Sequence, residues 1–309
     1  NMRVKVVSPN AKTNRLSHWY KTPYAFESIA PDLIEKLLYP KGDLSLILPD
    51  ENPFLSPDHT LVKQETCPAA LQQTVKTTNF NLWFGQDDQF GLPRGDCYVS
   101  FDCEAAMQGV EIATIKKLWI AILNSHFQQL YYQANVAGLN YHLYSHQCGF
   151  SLHTSGFSTK QLRFNQELIE QIHSFDGFTK HFEQVKQQQW QSLHNNLLNK
   201  PINRLFNRLS ALMQQNTHTP LSMVNIMEKA TIEQVHEVKH GLLSKRHIES
   251  LVYGNWCANE ADHFGKELQQ KNAGYIGHEK LSRSISNLCG HDILLHPLPC
   301  EHPDAAVVI

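Results

Sequence analysis

Apolar residues between positions 110 and 136 recur at spacings of three and four, the pattern of one helix face. Gly138 lies just past this segment, where glycine is a common C-terminal cap. The pattern predicts one long helix over residues 110–136 that packs a broad face on a sheet. The apolar stripe consists of Ile112, Ile115, Leu118, Trp119, Ile122, Leu123, Phe127, Leu130 and Tyr131.

Shorter segments alternate in side-chain type or are rich in β-branched and aromatic residues, as strands are. Residues 139–146 and 149–154 follow each other closely, which predicts a hairpin. The predicted strands cover residues 81–84, 96–104, 139–146, 149–154 and 247–254.

Further helical segments follow the hairpin. Pro201 and Pro220 stand at the start of two of them, where proline is tolerated. The order of elements lacks the βαβ alternation of a parallel sheet, so we predict an α+β fold: an antiparallel sheet with helices packed mainly on one face. These helices cover residues 158–174, 177–198, 202–215, 221–229, 232–243 and 259–270.

Prolines recur throughout residues 8–66, and only residues 31–38 are predicted to be helical there. Residues 1–7 and 305–309 have the composition of strands. Because a strand needs a neighbour to pair with, we expect the chain to be a piece of a longer protein.

The composition excludes several classes of protein. Of the 309 residues, 41% are hydrophobic and 18% charged, which is too apolar for a disordered chain. The net charge is -2 and no run of five basic residues occurs, so nucleic acid and anionic membranes are not expected partners. No stretch of 18 apolar residues occurs, and we expect a soluble protein without a membrane span. The sequence does not reveal whether its compartment is the periplasm or the cytoplasm.

The cysteines predict neither a disulfide framework nor a zinc ribbon. There are seven, an odd number, and none forms a C-x-x-C pair. We expect free and mostly buried thiols. They are Cys67, Cys97, Cys103, Cys148, Cys257, Cys289 and Cys300.

One segment matches a metal-binding motif. His236, Glu237 and His240 lie in the sequence HEVKH, which on a helix can bind zinc through both histidines with the glutamate as general base. However, the histidines flank the apolar stripe of this helix, and no third ligand follows in a diagnostic arrangement. With 18 histidines in the chain, an accidental match is a known false-positive risk, about 0.06 per chain of this length. We therefore predict a solvated helix face.

His142 and His146 are also four residues apart. In a strand that spacing is about 13 Å, too far for one metal ion. No P-loop, dinucleotide-binding or G-x-S-x-G motif occurs. We therefore predict no catalytic residue and no metal ligand in this chain, and the sequence assigns no substrate-binding residue.

Four segments, in the same order, resemble the pitrilysin/insulysin family of zinc metallopeptidases. The family patterns are E-x-W-Y-G-T-x-Y, L-W-F-x-x-D-D-x-F-x-x-P, Y-x-A-x-x-A-G-L-x-Y and R-x-H-I-E-A-L-x-x-G-N. The matching segments are residues 17–24 (SHWYKTPY), 81–93 (NLWFGQDDQFGLP), 132–141 (YQANVAGLNY) and 246–255 (RHIESLVYGN).

The resemblance implies a long parent chain of four similar domains whose two halves enclose a chamber. The family's zinc motif, H-x-x-E-H, belongs to the first domain and does not occur here. Residues 1–66 then correspond to the end strand of the preceding domain and an interdomain linker. Residues 67–288 correspond to the non-catalytic third domain, and residues 289–309 to a second linker and the first strand of the following domain.

We therefore expect a non-catalytic structural and substrate-enclosing domain of a zinc metalloendopeptidase. Its implied partners are the other domains of the parent chain and peptide substrates, and its parent would hold the zinc. Two alternatives stay open at this point. The chain could be an independent zinc hydrolase that uses the HEVKH segment, or a scaffold module without peptidase activity.

Overall fold

The computed structural model of the chain describes residues 3–39, 48, 50–63, 71–87, 89–272, 275–286, 297 and 302–307. The chain divides into two compact units, residues 1–51 and residues 52–309. Both predicted domain boundaries, between residues 66 and 67 and between residues 288 and 289, fall outside the described residues.

The first unit contains a small hairpin and one helix. Strands β1 (Arg15–Leu16) and β2 (Pro23–Tyr24) pair antiparallel, and the Ser17 N–H donates to Thr22 O at 3.0 Å. Helix α1 (Pro31–Leu38) confirms the predicted helix, with its proline in the first turn, where no N–H is needed. Residues 3–7 form no strand, contrary to prediction, because no described strand pairs with them.

The second unit holds the sheet and most of the helices. Every helix and strand predicted between residues 81 and 270 has a counterpart, although several boundaries move and one predicted helix is divided in two. Its strands are β3 (Gln72–Lys76), β4 (Phe80–Gln86), β5 (Arg94–Asp102), β6 (Asn140–His146), β7 (Gly149–Phe157), β8 (Lys245–Gly254) and β9 (Ile276–Gly277). Its helices are α2 (Val110–Leu130), α3 (Tyr132–Val136), α4 (Ser158–Ser174), α5 (Phe182–Leu197), α6 (Pro201–Met213), α7 (Pro220–Lys229), α8 (Ile232–Ser244) and α9 (Ala258–Lys271).

The strand order across the sheet is β3-β4-β8-β5-β7-β6, with β9 paired to the start of β8. The α+β class is confirmed, and β6 and β7 form the predicted antiparallel hairpin. The sheet is mixed, however, because β4 pairs with β8 in parallel, as does β9. Since β4 and β8 lie far apart in the chain, the intervening helices supply the crossover that a parallel pair requires.

One face of the sheet carries the core, and α2, α4 and α9 pack on it. Phe150 of β7 stacks on Phe101 of β5 at 4.7 Å, and the edge of the Trp119 ring from α2 meets it at 5.1 Å. Such buried rings contribute the largest apolar areas of a core. The core-face side chains of the strands include Phe80, Leu82, Phe84, Cys97, Val99, Phe101, Leu143, Phe150, Leu152, Ile248 and Val252.

The predicted long helix is two helices. It breaks at Tyr131, whose ring is buried against Phe127 and Phe164 at 5.9 and 5.2 Å. The predicted glycine cap is confirmed: Gly138 has φ +81° and donates to Asn135 O, while Leu139 donates to Ala134 O. This pair of hydrogen bonds is the Schellman arrangement that ends α3.

The cysteines that the structure describes are free, as predicted. Cys97, Cys103 and Cys148 are buried, and Cys257 is partly exposed. Burial raises the pKa of the Cys103 thiol to about 12, which keeps it protonated and unreactive. The other three, Cys67, Cys289 and Cys300, lie outside the described residues.

No described helix combines the length and the apolar composition that a bilayer crossing requires. The predicted strand at residues 305–309 is absent over residues 305–307, which pair with no described strand, and residues 308–309 lie outside the described part of the chain.

Candidate functional site

The second face of the sheet carries polar and aromatic side chains, and we call it the open face. The strand register aligns its residues in rows that run across β6, β7, β5, β8 and β4. Helices cover the opposite face, so much of this one stays accessible. The rows are His142, His153, Tyr98, Leu251 and Trp83; Tyr144, Ser151, Ser100, Glu249 and Asn81; and Asn140, Ser155, Asp96, Tyr253 and Gly85.

An aromatic stack lies in the middle of the open face. The rings of Tyr98 and His153 are parallel, with an interplanar angle of 2° and centroids 4.0 Å apart. The imidazole Nε2 lies 2.8 Å from Asp96 Oδ1, which fixes the ring in place. Tyr98 is 37% exposed. Burial and the Asp96 charge raise its pKa, so the phenol stays neutral and can donate a hydrogen bond.

A second polar group lies toward β4. The Trp83 indole donates to Glu249 Oε1 at 3.1 Å, and Lys280 pairs with the same carboxylate. Burial opposes ionisation of Glu249, but the hydrogen bonds from Lys280 and Trp83 hold its pKa below the usual range. The charge of this glutamate is therefore already neutralised within the chain.

The open face ends in a more buried polar row at the hairpin end of the sheet. Asp102 is 4% exposed, and burial raises its pKa. His146 Nε2 lies 3.2 Å from Ser100 Oγ and 3.9 Å from Asp102 Oδ1. His247 joins this row from β8, and its Nδ1 lies 3.2 Å from Thr78 O.

The HEVKH segment lies on α8, away from these rows. A capping box formed by Thr231 and Gln234 starts the helix. His236, Glu237 and His240 are all exposed, whereas the neighbouring apolar residues are buried. The histidines therefore lie on the solvated side of the helix, which matches the predicted geometry.

His236 has contacts of its own. Its ring meets the Phe178 ring at 4.8 Å, and its Nδ1 lies 4.0 Å from Asp176 Oδ1. Asp176 is also bound by Lys239 at 2.6 Å. Within the part of the chain that the structure describes, no three His, Cys, Asp or Glu side chains come together as metal ligands. The segment therefore does not fit a zinc ion, and the absence of a metal site in this chain stays a prediction.

His142 and His146 share the open face, yet they have different surroundings. His142 is exposed and its ring stacks on Tyr144 at 4.9 Å. The side chain of His146 is only 12% exposed. Burial and the charges of Arg283 and Lys116 lower the pKa of His146 to about 4, so its ring is neutral at pH 7.

A family model described as the middle or third domain of peptidase M16 matches residues 1–226. This match covers more than half of the chain. The chain belongs to the M16 peptidase family.

Curated members of the M16 family agree with this assignment. Human insulin-degrading enzyme is 29% identical over 260 residues, which is 82% of this chain and 25% of that protein. The A-factor-processing enzyme of Saccharomyces cerevisiae is 24% identical over 263 residues, 84% of this chain and 26% of that protein. The chain thus spans about a quarter of the length of the relatives it matches.

The crystal structure of pitrilysin confirms the fold. It superimposes with a TM-score of 0.71 at 21% identity, covering 88% of this chain and 29% of that chain. The M16 peptidases are metallopeptidases, and this chain corresponds to their middle domain. The predicted family and fold class are both confirmed.

The open face was missed by sequence reasoning, although part of its signal was visible. In β5 the polar residues Asp96, Tyr98 and Ser100 alternate with buried Cys97 and Val99, which indicates one polar and one apolar face. The other strands that complete each row are distant in the chain, and their register cannot be read from composition.

Proposed function

We propose that this chain is a non-catalytic, substrate-enclosing domain of a longer zinc metalloendopeptidase that degrades peptides in a closed chamber. Its partners are the remaining domains of the parent chain and peptide substrates, and the zinc is held by another domain. The proposal assigns residues 1–66 and 289–309 to linkers and end strands of the neighbouring domains, and residues 67–288 to the domain itself.

One observation carries this proposal: the open face is lined by aromatic and hydrogen-bonding side chains rather than by an apolar surface. An apolar face would favour burial under another layer. Tyrosine, tryptophan and histidine instead combine a flat ring with a polar atom, which suits transient contact with peptides of varied sequence. Placed toward a chamber, this face would form a wall that holds a peptide without cleaving it.

The scaffold alternative predicts a different behaviour. A module that only assembles other domains has no reason to bind a free peptide through the open face. The zinc hydrolase alternative requires His236 and His240 to find a third ligand, and the described part of α8 and its neighbours offers none. Peptide binding by the chain therefore distinguishes the first proposal from the scaffold.

Tyr98→Ala tests the role of the open face. We expect a fluorescently labelled peptide of about 20 residues to bind the purified chain weakly and saturably, measured by anisotropy. Loss of the exposed ring removes its stacking and hydrogen-bonding contacts, so affinity should fall about five- to tenfold, the effect of truncating a contact worth 1 kcal/mol or more.

Tyr132→Ala is the matched control, because Tyr132 is 69% exposed but lies on α3, away from the open face. Thermal unfolding of both variants checks that the fold is unchanged. Equal affinities for the two variants, or no saturable binding by the original chain, would contradict the proposed wall.

A further inference from the structure

A basic cavity lies next to the hairpin end of the open face, outside the aromatic stack and the HEVKH segment. Its volume is about 540 Å³. The start of α2, the tip of the β6–β7 hairpin, the turn after α6 and the segment after β9 surround it. We call it the basic pocket; its basic residues are Lys116, Lys117, His146, His218 and Arg283.

The charge of the basic pocket is one-sided. Lys116, Lys117 and Arg283 are cations, and none of the described residues that line the pocket is Asp or Glu. The carboxylate of Asp102 lies behind His146, with 3.9 Å between Oδ1 and Nε2, and the charge of Arg283 acts on it. Two positive charges therefore remain after this single carboxylate is counted.

Lys116 is the most buried of these cations. It is 3% exposed, and its Nζ donates to His146 O at 2.7 Å, which occupies one of its three N–H groups. Burial lowers its pKa to about 8. A buried ammonium without a carboxylate is costly, because desolvation is not offset by an opposite charge.

Arg283 faces the same cavity from the other side. No carboxylate of the described residues lies within 4.0 Å of it, but its charge acts on Asp102 and also lowers the pKa of His146. Burial lowers the pKa of His218, and the charge of Lys116 lowers it further. The two imidazoles are therefore neutral at pH 7. The Nε2 of His218 lies 3.2 Å from Asn216 Oδ1, which accepts its one N–H, so His218 has no N–H left for a ligand.

Hydrogen bonds from one side chain hold the walls of the basic pocket together. Asn216 adopts φ +55°, and its Nδ2 donates to Ala106 O and to Gln147 O, both at 2.8 Å. This amide ties the turn after α6 to the hairpin tip, so Lys116 and His146 face a preformed cavity. A preformed site loses less entropy on binding.

We propose that the basic pocket binds a small oxyanion, either a carboxylate or a phosphate group. Both present the charged oxygen atoms that a guanidinium and an ammonium bind well. The cavity has room for a phosphate ion or for an acidic side chain of a bound peptide. This inference stands apart from the proposed function, since a free anion would bind even if the open face bound no peptide.

Arg283→Gln tests the pocket with inorganic phosphate as the probe, by isothermal titration at fixed ionic strength. Removing one charge-assisted contact should weaken binding about tenfold. Arg163→Gln is the matched control, because the Arg163 side chain is 83% exposed on α4, outside the pocket. Lys116→Met should abolish phosphate binding, and circular dichroism checks that this variant folds. If it does not fold, the comparison of Arg283→Gln with Arg163→Gln still tests the proposal.

Two peptides distinguish the sources of the oxyanion. One carries two glutamates and the other carries glutamines in their place. Displacement of phosphate by the glutamate peptide alone supports a peptide carboxylate as the ligand, whereas no displacement supports a free anion. Phosphate affinities that agree within twofold between Arg283→Gln and Arg163→Gln would overturn the proposal, as would no saturable phosphate binding at all.

Discussion

Phe150→Ala is expected to lower the free energy of unfolding by about 3–5 kcal/mol, the range for removing a large buried aromatic side chain. Phe150 is fully buried and joins two layers of the core, since its ring contacts Phe101 on the sheet and Trp119 on α2. Its loss removes apolar contacts and leaves a cavity that neighbouring rings cannot fill. Urea unfolding followed by circular dichroism measures the change.

Phe90→Ala is the matched control for this prediction. Phe90 is 74% exposed, so the same change in chemistry should alter stability by less than about 0.5 kcal/mol. If both variants unfold at the same urea concentration, Phe150 is not packed between the sheet and α2 as described.

Gly254→Ala is expected to cost about 2–5 kcal/mol, from backbone strain together with overpacking. Gly254 ends β8 with φ +136°, a conformation that residues with a Cβ rarely adopt. An added Cβ would lie 2.4 Å from Gly95 Cα and 2.6 Å from Arg94 O. Both are backbone atoms of β5, so relief requires the β5–β8 pair to separate at this end.

Gly91→Ala separates the two contributions to that cost. Gly91 also has positive φ, at +57°, but a Cβ there would meet nothing within 4 Å. Only conformational strain of about 1–2 kcal/mol is expected. Urea unfolding that gives the same loss for both glycine variants would show that the close approach of β8 to β5 is absent.

Helices and core strands were predictable because their patterns are local. The apolar stripe around Trp119 has helical spacing, and the alternation around Val99 has strand spacing. The break at Tyr131 was not predictable, because it depends on tertiary packing against Phe127 and Phe164. Strand β3 (Gln72–Lys76) was also missed, since this edge strand is largely polar and lacks a clear alternation.

Asn255, the last residue of the family-like segment 246–255, has a structural role that the sequence pattern does not reveal. Asn255 is buried; its Oδ1 accepts from Val62 N at 2.7 Å, and its Nδ2 donates to Thr60 O at 3.1 Å. The same Nδ2 lies 2.9 Å from Ser158 Oγ at the start of α4. This one amide therefore joins residues 60–62 to the end of β8 and to the start of α4, and these three segments lie far apart in the chain.

The open face could be predicted only in part from the sequence, and the basic pocket could not be predicted from it. The polar face of β5 is readable from Asp96, Tyr98 and Ser100, but its neighbours depend on strand register. The basic pocket combines Lys116 and Arg283 from widely separated segments. Neither a motif nor a charge run brings these two cations together, and only the fold does.

Zinc content together with peptidase activity of the purified chain tests the central claim most directly. Elemental analysis and a fluorogenic peptide assay should show no stoichiometric zinc and no turnover, with Glu237→Gln indistinguishable from the original chain. The reason is that His236 and His240 face solvent and no described side chain completes a ligand set. About one zinc per chain, with turnover that Glu237→Gln abolishes, would contradict the account and make the HEVKH segment an active site.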